Sequence, residues 1–350
     1  MGSIVPGDSQ IVSPPDTILV TGANGYIAAH VVAQLLEAGY KVIGTVRNAS
    51  KRDAVLKTHD AHKNLSIAVV NDITKAQSYF TALPAGVNIA GIAHLAAPFS
   101  YAVTDFERDL MLPAVAGSEA IMQVAEELGV KRVVHTNSFA CIYDAALGMR
   151  PGYTYTEKDW SPLSYEDGKG APNAPIAYRA AKAVAEKVAF EHMAKQHREY
   201  DLVSLCPAMV FGPYVNEHGA PKTAGEIGES IKIVHDLLRA GEDAAMPPTK
   251  GPVWVDVRDV AKAHVLAFEK PEASGQRYML AAGIYCNQEI ADTVRALHLG
   301  ADEVPVGIVG QRDADKHFGV DGSRVQRDLG LRYTSLESSM RALVPQLLKL

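Results

Sequence analysis

The first apolar run of the chain, Ile18-Leu19-Val20, leads directly into Thr21-Gly22-Ala23-Asn24-Gly25-Tyr26-Ile27-Ala28, and apolar positions then recur at Ile27, Val31, Val32, Leu35 and Leu36. A short apolar run ending in a glycine turn reads as a strand, and spacings of three and four residues after it read as a helix with one buried face. Gly39 stops that helix and Lys41 to Val46 forms the next strand. The alternation continues with strands predicted over Leu65 to Val70, Ile89 to Leu95, Arg132 to Thr136, Asp201 to Cys206 and Arg277 to Leu280. Helices are predicted from about Leu112 to Leu128, through Tyr178 to about His197, and up to about Phe268. Strands alternating with helices specify an α/β fold on a doubly wound parallel sheet.

The rhythm breaks between about Met209 and Gly251, where Pro213, Gly219, Pro221, Pro247 and Pro248 interrupt it. That stretch, about 208–251, is expected to join residues 283–350 in a smaller substrate-facing lobe, leaving residues 17–207 and about 252–282 to the main domain. Residues 1–16 carry Pro6, Pro14 and Pro15 without periodicity, so a flexible leader is expected.

The glycine turn has a specific physical use. Gly22 permits a turn that a Cβ strains, Gly25 lets the backbone approach a ligand, and Ala28 keeps the helix close to the strand. The helix start directs unpaired N–H groups and the positive dipole end at whatever lies over the turn, which suits a pyrophosphate. Thr21, Gly22, Asn24, Gly25, Tyr26 and Ile27 are the candidate contacts. The second strand then delivers Arg47 to its carboxyl end, with Lys51 and Arg52 a helical turn further on and no Asp or Glu between Gly39 and Arg52. An acidic residue there binds the ribose of NAD, whereas a guanidinium and an ammonium suit a 2′-phosphate. The expected cofactor is therefore NADP(H), with solvated surface charges as the alternative reading of these cations. After the third strand, Asp72, beside Ile73, is placed either to accept from an adenine amino group or to cap the next helix. The fourth strand ends at Leu95 and runs into Ala96 and Ala97, small residues that let the backbone pass beneath a cofactor, so Leu95, Ala96 and Ala97 are further candidate cofactor contacts.

Two further motifs converge on chemistry. The fifth strand ends in Thr136-Asn137-Ser138, and Tyr178 and Lys182 follow about forty residues later at i and i+4 of one helix face. A phenol titrates near pH 10 in water. An adjacent ammonium favours its phenolate and so makes Tyr178 a usable proton donor to a carbonyl oxygen. Ser138 is placed to hydrogen-bond the same oxygen as charge develops on it.

Taken together, Val20-Thr21-Gly22-Ala23-Asn24-Gly25-Tyr26, Gly44-Thr45-Val46-Arg47, His94-Leu95-Ala96-Ala97-Pro98, Tyr178 with Lys182, and Pro207-Ala208-Met209-Val210-Phe211-Gly212-Pro213 resemble the extended short-chain dehydrogenase/reductase family. Within it, they are most similar to the branch of plant dihydroflavonol reductases, cinnamoyl-CoA reductases and fungal or yeast aldehyde and ketone reductases. The resemblance runs from Ile18 to about Leu350 and implies a Rossmann-type fold. It also implies a Ser138, Tyr178 and Lys182 catalytic triad, with Lys182 holding the nicotinamide ribose. Pro207, Ala208, Met209 and Val210 border the nicotinamide on this view, and NADPH is the usual cofactor. Trp254 to Val260 resembles the family's return to the main sheet. Similar proteins commonly read Thr-Ser-Ser where this chain has Thr136-Asn137-Ser138.

Composition narrows the reading. With 34 basic and 40 acidic residues and a net charge of -6, the chain lacks the basic stripe of a nucleic-acid binder. Neither an export signal nor a membrane-length apolar run is evident, so a cytoplasmic protein acting as a monomer or homodimer is expected. The three cysteines are too scattered for a disulfide framework or zinc site, and His59 and His62 are expected at the surface without a third metal ligand. Phe99, Tyr101, Phe139, Met209 and Tyr214 are, as a group, candidate walls of an apolar pocket for a neutral aldehyde or ketone, although each taken singly is better suited to core packing. The leading expectation is an NADPH-dependent carbonyl reductase. Its rivals are an NAD-retaining epimerase or dehydratase and a non-catalytic NADP-sensing regulator.

Overall fold

In the computed structural model, which describes residues 11–97, 103–195 and 199–350, the apolar runs of the first half become strands and the periodic segments become helices. The chain proceeds through β1 (Thr17–Thr21), α1 (Tyr26–Glu37), β2 (Lys41–Val46), α2 (Ala49–Thr58), β3 (Leu65–Val69), α3 (Ala76–Ala82) and β4 (Gly91–His94). A π-helical turn, Glu107–Met111, then opens into α4 (Leu112–Leu128), followed by β5 (Arg132–Thr136), β6 (Thr154–Tyr155), α5 (Tyr165–Lys169), α6 (Ala174–Lys195) and β7 (Asp201–Pro207). Next come β8 (Met209–Phe211), α7 (Glu229–Leu238), β9 (Val253–Asp256), α8 (Val257–Glu269) and β10 (Arg277–Leu280). The chain closes with β11 (Gly283–Ile284), α9 (Asn287–Ala296), β12 (Gly319–Val320), α10 (Ser323–Leu329) and α11 (Leu336–Leu347).

Seven strands form one parallel sheet in the order β3-β2-β1-β4-β5-β7-β10. Strand order runs outward from β1 in both directions, so the connections leave a crevice at the carboxyl ends of β1 and β4. Helices α1 and α8 cover one face through Val31, Leu35, Val260 and Phe268, and α4 covers the other through Ile121 and Val124. Complete burial of each such side chain stabilises by about 1.5–3 kcal/mol. Gly91 permits the close approach of β4 to α8, because a Cβ there would meet the Phe268 ring at 2.7 Å.

Two expectations are corrected. The leader does not extend to residue 16, since Val12 is fully buried, donates its N–H to Phe268 O and accepts from the Tyr40 hydroxyl. Its apolar side chain fills a gap in the core, which ties down residues a proline-rich reading left loose. The segment around Trp254 does not return to the main sheet either. β9 pairs with β8 and β11 in a separate sheet of three strands, and the chain rejoins the main body only through α8. Among the described residues, no helix is long and apolar enough to cross a membrane.

Parallel register places Thr21, His94, His135 and Ser204 in one row across β1, β4, β5 and β7, close to the edge where the crevice opens.

Candidate active site

The turn after β1 is built for close approach. Gly22 has φ +67°, and a Cβ on it would lie 3.1 Å from Ala96 Cα. Thr21 fixes that approach from below. Its Oγ1 accepts from Leu95 N at 3.0 Å and Ala96 N at 2.9 Å, which leaves its one hydrogen for His94 Nδ1 at 3.0 Å. Helix α1 starts immediately afterwards at its N-cap Gly25, with no side-chain cap and no acidic residue in its first turn. Its leading N–H groups and positive dipole end are therefore available to an anion over the turn.

Two clefts meet at Asn24 and Gly25. The first, about 620 Å³, is walled by Gly22, Arg47, Asp72 and Ile73 and by Leu95, Ala96 and Ala97. Arg47 is exposed at the end of β2, as a residue reading a phosphate must be. Thr74 and Lys75 hold the Asp72 carboxyl down at about 2 by hydrogen bonds from the Thr74 hydroxyl, the Lys75 ammonium and the Thr74 N–H. Asp72 thus forms a local turn at the cleft wall, while Lys75 occupies the N-cap of α3. The second cleft, about 590 Å³, is lined by Tyr26, Ile27 and Lys51 and by Ser138, Tyr178, Pro207, Ala208, Val210 and Tyr214. A dinucleotide fits this arrangement, because the crowded Gly22 cradle, the uncapped helix start and the cation at the end of β2 all face the joined clefts.

The i, i+4 spacing on α6 sends Tyr178 and Lys182 to the same place. Tyr178 is half-buried and shared between the second cleft and a small cavity of about 20 Å³, which Lys182, His94 and His135 also line. Lys182 is buried and donates to Thr136 O at 3.1 Å. Burial pushes its ammonium downward in pKa, and Cys141, Cys206 and Glu186 partly offset this. Ser138 Oγ accepts from Ala140 N at 3.1 Å, a bond that uses a lone pair and not the hydroxyl hydrogen.

Beneath this group lies a buried ion pair. Arg277 donates to both Glu186 oxygens at 2.7 and 2.9 Å and to the carbonyls of Glu157, Asp159 and Cys141. Glu186 also accepts from Ser204, and Ser204 Oγ accepts from Asn137 Nδ2 at 2.8 Å. Asn137 is thus tied into the support beneath the site.

Several expected contacts lie elsewhere. Thr21 is fully buried and acts on the β4 loop rather than on the cleft. Met209 turns toward the C-terminal core beside Gly251, because alternation along β8 sends its neighbours Ala208 and Val210 to the cleft. The short helical turn after Ser138 swings Phe139 into an aromatic cluster with Tyr143, Tyr155 and Phe318. Phe99 and Tyr101 lie outside the described residues. His59 is not a surface residue; it is buried beside the second cleft, and burial pushes its imidazole down to about 4.

Sequence reasoning missed Thr45 and Asn71 in the first cleft, although both lie at strand ends where a switch-point argument would look. It also missed Arg108 at that cleft and the wall formed by His218, Gly219 and Pro221 at the second, for which no pattern in the sequence signals.

A model of the NAD dependent epimerase/dehydratase family matches residues 18–281. The chain belongs to that family. Among relatives of this extended short-chain dehydrogenase/reductase, the NADPH-dependent methylglyoxal reductase GRE2 of Saccharomyces cerevisiae is 31% identical over 343 residues, covering 95% of this chain and 98% of the yeast protein. The ketoreductase azaE of Aspergillus niger is 33% identical over 342 residues, covering 95% and 97%. The crystal structure of Candida albicans Gre2 in complex with NADPH superposes with a TM-score of 0.86 at 34% identity, covering 96% of this chain and 99% of that one. A UDP-glucose 4-epimerase of Bifidobacterium longum at 18% identity and a TM-score of 0.68 shares the fold.

Proposed function

We propose that this protein is an NADPH-dependent reductase of neutral aldehydes or ketones. The observation that carries the proposal is the position of Tyr178, which walls the cleft with Ser138 and Ala208 and shares a cavity with the buried Lys182. On this reading, residues 17–207 and about 252–282 hold the cofactor, and about 208–251 with 283–350 contribute the substrate side. Gly22, Asn24 and Gly25 approach the pyrophosphate, Arg47 and Lys51 recognise the 2′-phosphate, and Asp72, Ile73 and Leu95 to Ala97 border the adenosine. Pro207, Ala208 and Val210 border the nicotinamide, and Lys182 holds its ribose. Bound NADPH supplies hydride to the carbonyl carbon.

The chain's own residues handle the oxygen. Tyr178 transfers its phenolic proton to it, Ser138 donates a hydrogen bond that strengthens as negative charge develops, and the Lys182 ammonium stabilises the resulting phenolate. The names of the yeast reductase and the fungal ketoreductase support this assignment, and a role in specialised metabolism is proposed by analogy alone. Arg47 at the first cleft disfavours an NAD-retaining epimerase or dehydratase, and retention of both Tyr178 and Lys182 disfavours a non-catalytic sensor. The test is NADPH oxidation over methylglyoxal, aromatic and aliphatic aldehydes, keto esters and dihydroflavonols. Turnover with NADPH well above that with NADH is expected; tightly held NAD and no net oxidation with any substrate would contradict the assignment.

A further inference from the structure

Helix α1 carries a polar stripe. Tyr26, His30 and Gln34 are spaced at i, i+4 and i+8, so their side chains leave the helix on one side. Each ends on a backbone carbonyl of a segment far away in sequence. The Tyr26 hydroxyl donates to Gly212 O at 2.7 Å, His30 Nε2 to Pro213 O at 2.8 Å and Gln34 Nε2 to Arg258 O at 2.9 Å. A carbonyl only accepts, so the second of these bonds places the His30 proton on Nε2. Burial lowers the His30 pKa, and the neutral imidazole makes this bond without any charge.

The first two bonds hold the crossover that leaves β8. The β8–β9 ladder ends at the pair Phe211 and Asp256, so the carbonyls of Gly212 and Pro213 lie beyond it and take their donors from α1 instead. Gly212 is pressed onto the start of α8: its φ is +117°, and a Cβ on it would lie 2.9 Å from Asp256 Oδ2. Tyr214 comes next. Its N–H donates to Gln346 Oε1 at 2.7 Å and its carbonyl accepts from Gln346 Nε2 at 3.1 Å, so α11 grips its backbone. Its ring packs edge-on against Tyr26 with centroids 5.2 Å apart, and it lines the cleft that Ser138 and Tyr178 also line. The helix that starts at the glycine turn thus sets the backbone immediately before a wall residue of the catalytic cleft.

We propose that His30, together with Tyr26, is a positioning residue for the carbonyl substrate: the pair holds the Gly212-Pro213 crossover, fixes where the Tyr214 wall stands, and so sets the size of group the cleft accepts beside the carbonyl. A wall that cannot retreat excludes a bulky group by overlap, whereas a loosened wall leaves a small group with fewer contacts. Gln34 is the internal control. It makes a bond of the same kind from the same stripe, but to α8 and not to the crossover.

The inference rests on the carbonyl reductase assignment for the substrate and on the hydrogen bonds alone for the placement of Tyr214, so the two are tested separately. A crystal structure of the full chain carrying His30→Leu should show the Gly212 to Tyr214 backbone and the Tyr214 ring displaced from their wild-type positions. An unmoved ring overturns the proposal whether or not the protein reduces carbonyls. Kinetically, the ratio of kcat/KM for benzaldehyde to that for propanal should rise about fivefold in His30→Leu, the size of one neutral hydrogen bond, chiefly through a higher KM for propanal. The Kd for NADPH should be unchanged. His30→Gln, whose amide N–H replaces the Nε2 donor, should restore the wild-type ratio. Gln34→Leu should lower Tm without moving the ratio. Tyr26→Phe, which removes only the hydroxyl, should shift the ratio in the same direction and provides the test should His30→Leu fold poorly. A ratio unchanged in both His30→Leu and Tyr26→Phe, an equal shift in Gln34→Leu, or no rescue by His30→Gln overturns the positioning role. Absence of any turnover in the wild type would count against the reductase assignment instead, and the position of Tyr214 in the variant crystal would then decide the proposal.

Discussion

Replacing Gly22 by alanine separates the role of the phosphate turn from simple backbone strain, because a matched control exists in the same chain. Gly22 and Gly129 have φ of +67° and +62°, but a Cβ on Gly22 meets Ala96 Cα at 3.1 Å and Ala96 N at 3.3 Å, whereas Gly129 has nothing within 4 Å. Both substitutions carry the left-handed penalty of about 1–2 kcal/mol. Only Gly22→Ala also pushes the Ala96 backbone by a few tenths of an ångström, which adds about 1–3 kcal/mol of overpacking. At about 2 °C per kcal/mol for a chain of this size, Gly129→Ala should lower Tm by roughly 2–4 °C and Gly22→Ala by roughly 4–10 °C. The larger difference should appear in cofactor binding. The added methyl group occupies the surface that approaches the pyrophosphate and shifts the loop beneath it, so Kd for NADPH should rise by about 10- to 100-fold in Gly22→Ala, a loss of about 1.4–2.8 kcal/mol. It should stay at the wild-type value in Gly129→Ala. Thermal unfolding and NADPH fluorescence titration on both variants provide the readout. Equal Kd for the two variants would refute the idea that the turn is the pyrophosphate cradle.

Arg47→Asp should weaken NADPH binding by about tenfold, as expected for loss of one charged hydrogen bond at an exposed site, while leaving NADH binding nearly unchanged; an equal loss for both nucleotides would show that Arg47 does not read the 2′-phosphate. Stability should fall on the acid side. Burial lowers the folded-state values of His94 to about 3 and His264 to about 4. Below the unfolded value of about 6.5 the unfolded chain therefore binds protons that the folded chain refuses, and each imidazole removes about 2 kcal/mol by pH 5. Urea unfolding at pH 7.5, 6 and 5 should show that decline, and a flat profile across the range would sink the argument.

How far the sequence could be read depended on what sets each feature. Strand β2, strand β5 and helix α4 begin and end at the expected residues, because their apolar patterns are bounded by glycine or by charge. The pairing of β9 was illegible, since an apolar run of four residues specifies a strand but not which sheet accepts it. Gly22, Gly25, Arg47, Tyr178 and Lys182 were legible because turn chemistry, strand-end position and i, i+4 spacing are local. Side-chain direction in irregular segments was not. The turn after Ser138 carries Phe139 away from the cleft, and the long stretch after β8 supplies His218 and Pro221 to its wall, through contacts far apart in sequence. The row of Thr21, His94, His135 and Ser204 exists only once the parallel register is known.

The central claim, that Tyr178 passes the proton in an NADPH-driven carbonyl reduction, is tested most directly by measuring NADPH affinity and single-turnover carbonyl reduction side by side in Tyr178→Phe. The account predicts an NADPH Kd close to wild type with a rate at least about a hundredfold lower, the size of a lost general acid. Near-normal reduction by the phenylalanine variant, with cofactor binding intact, would contradict it.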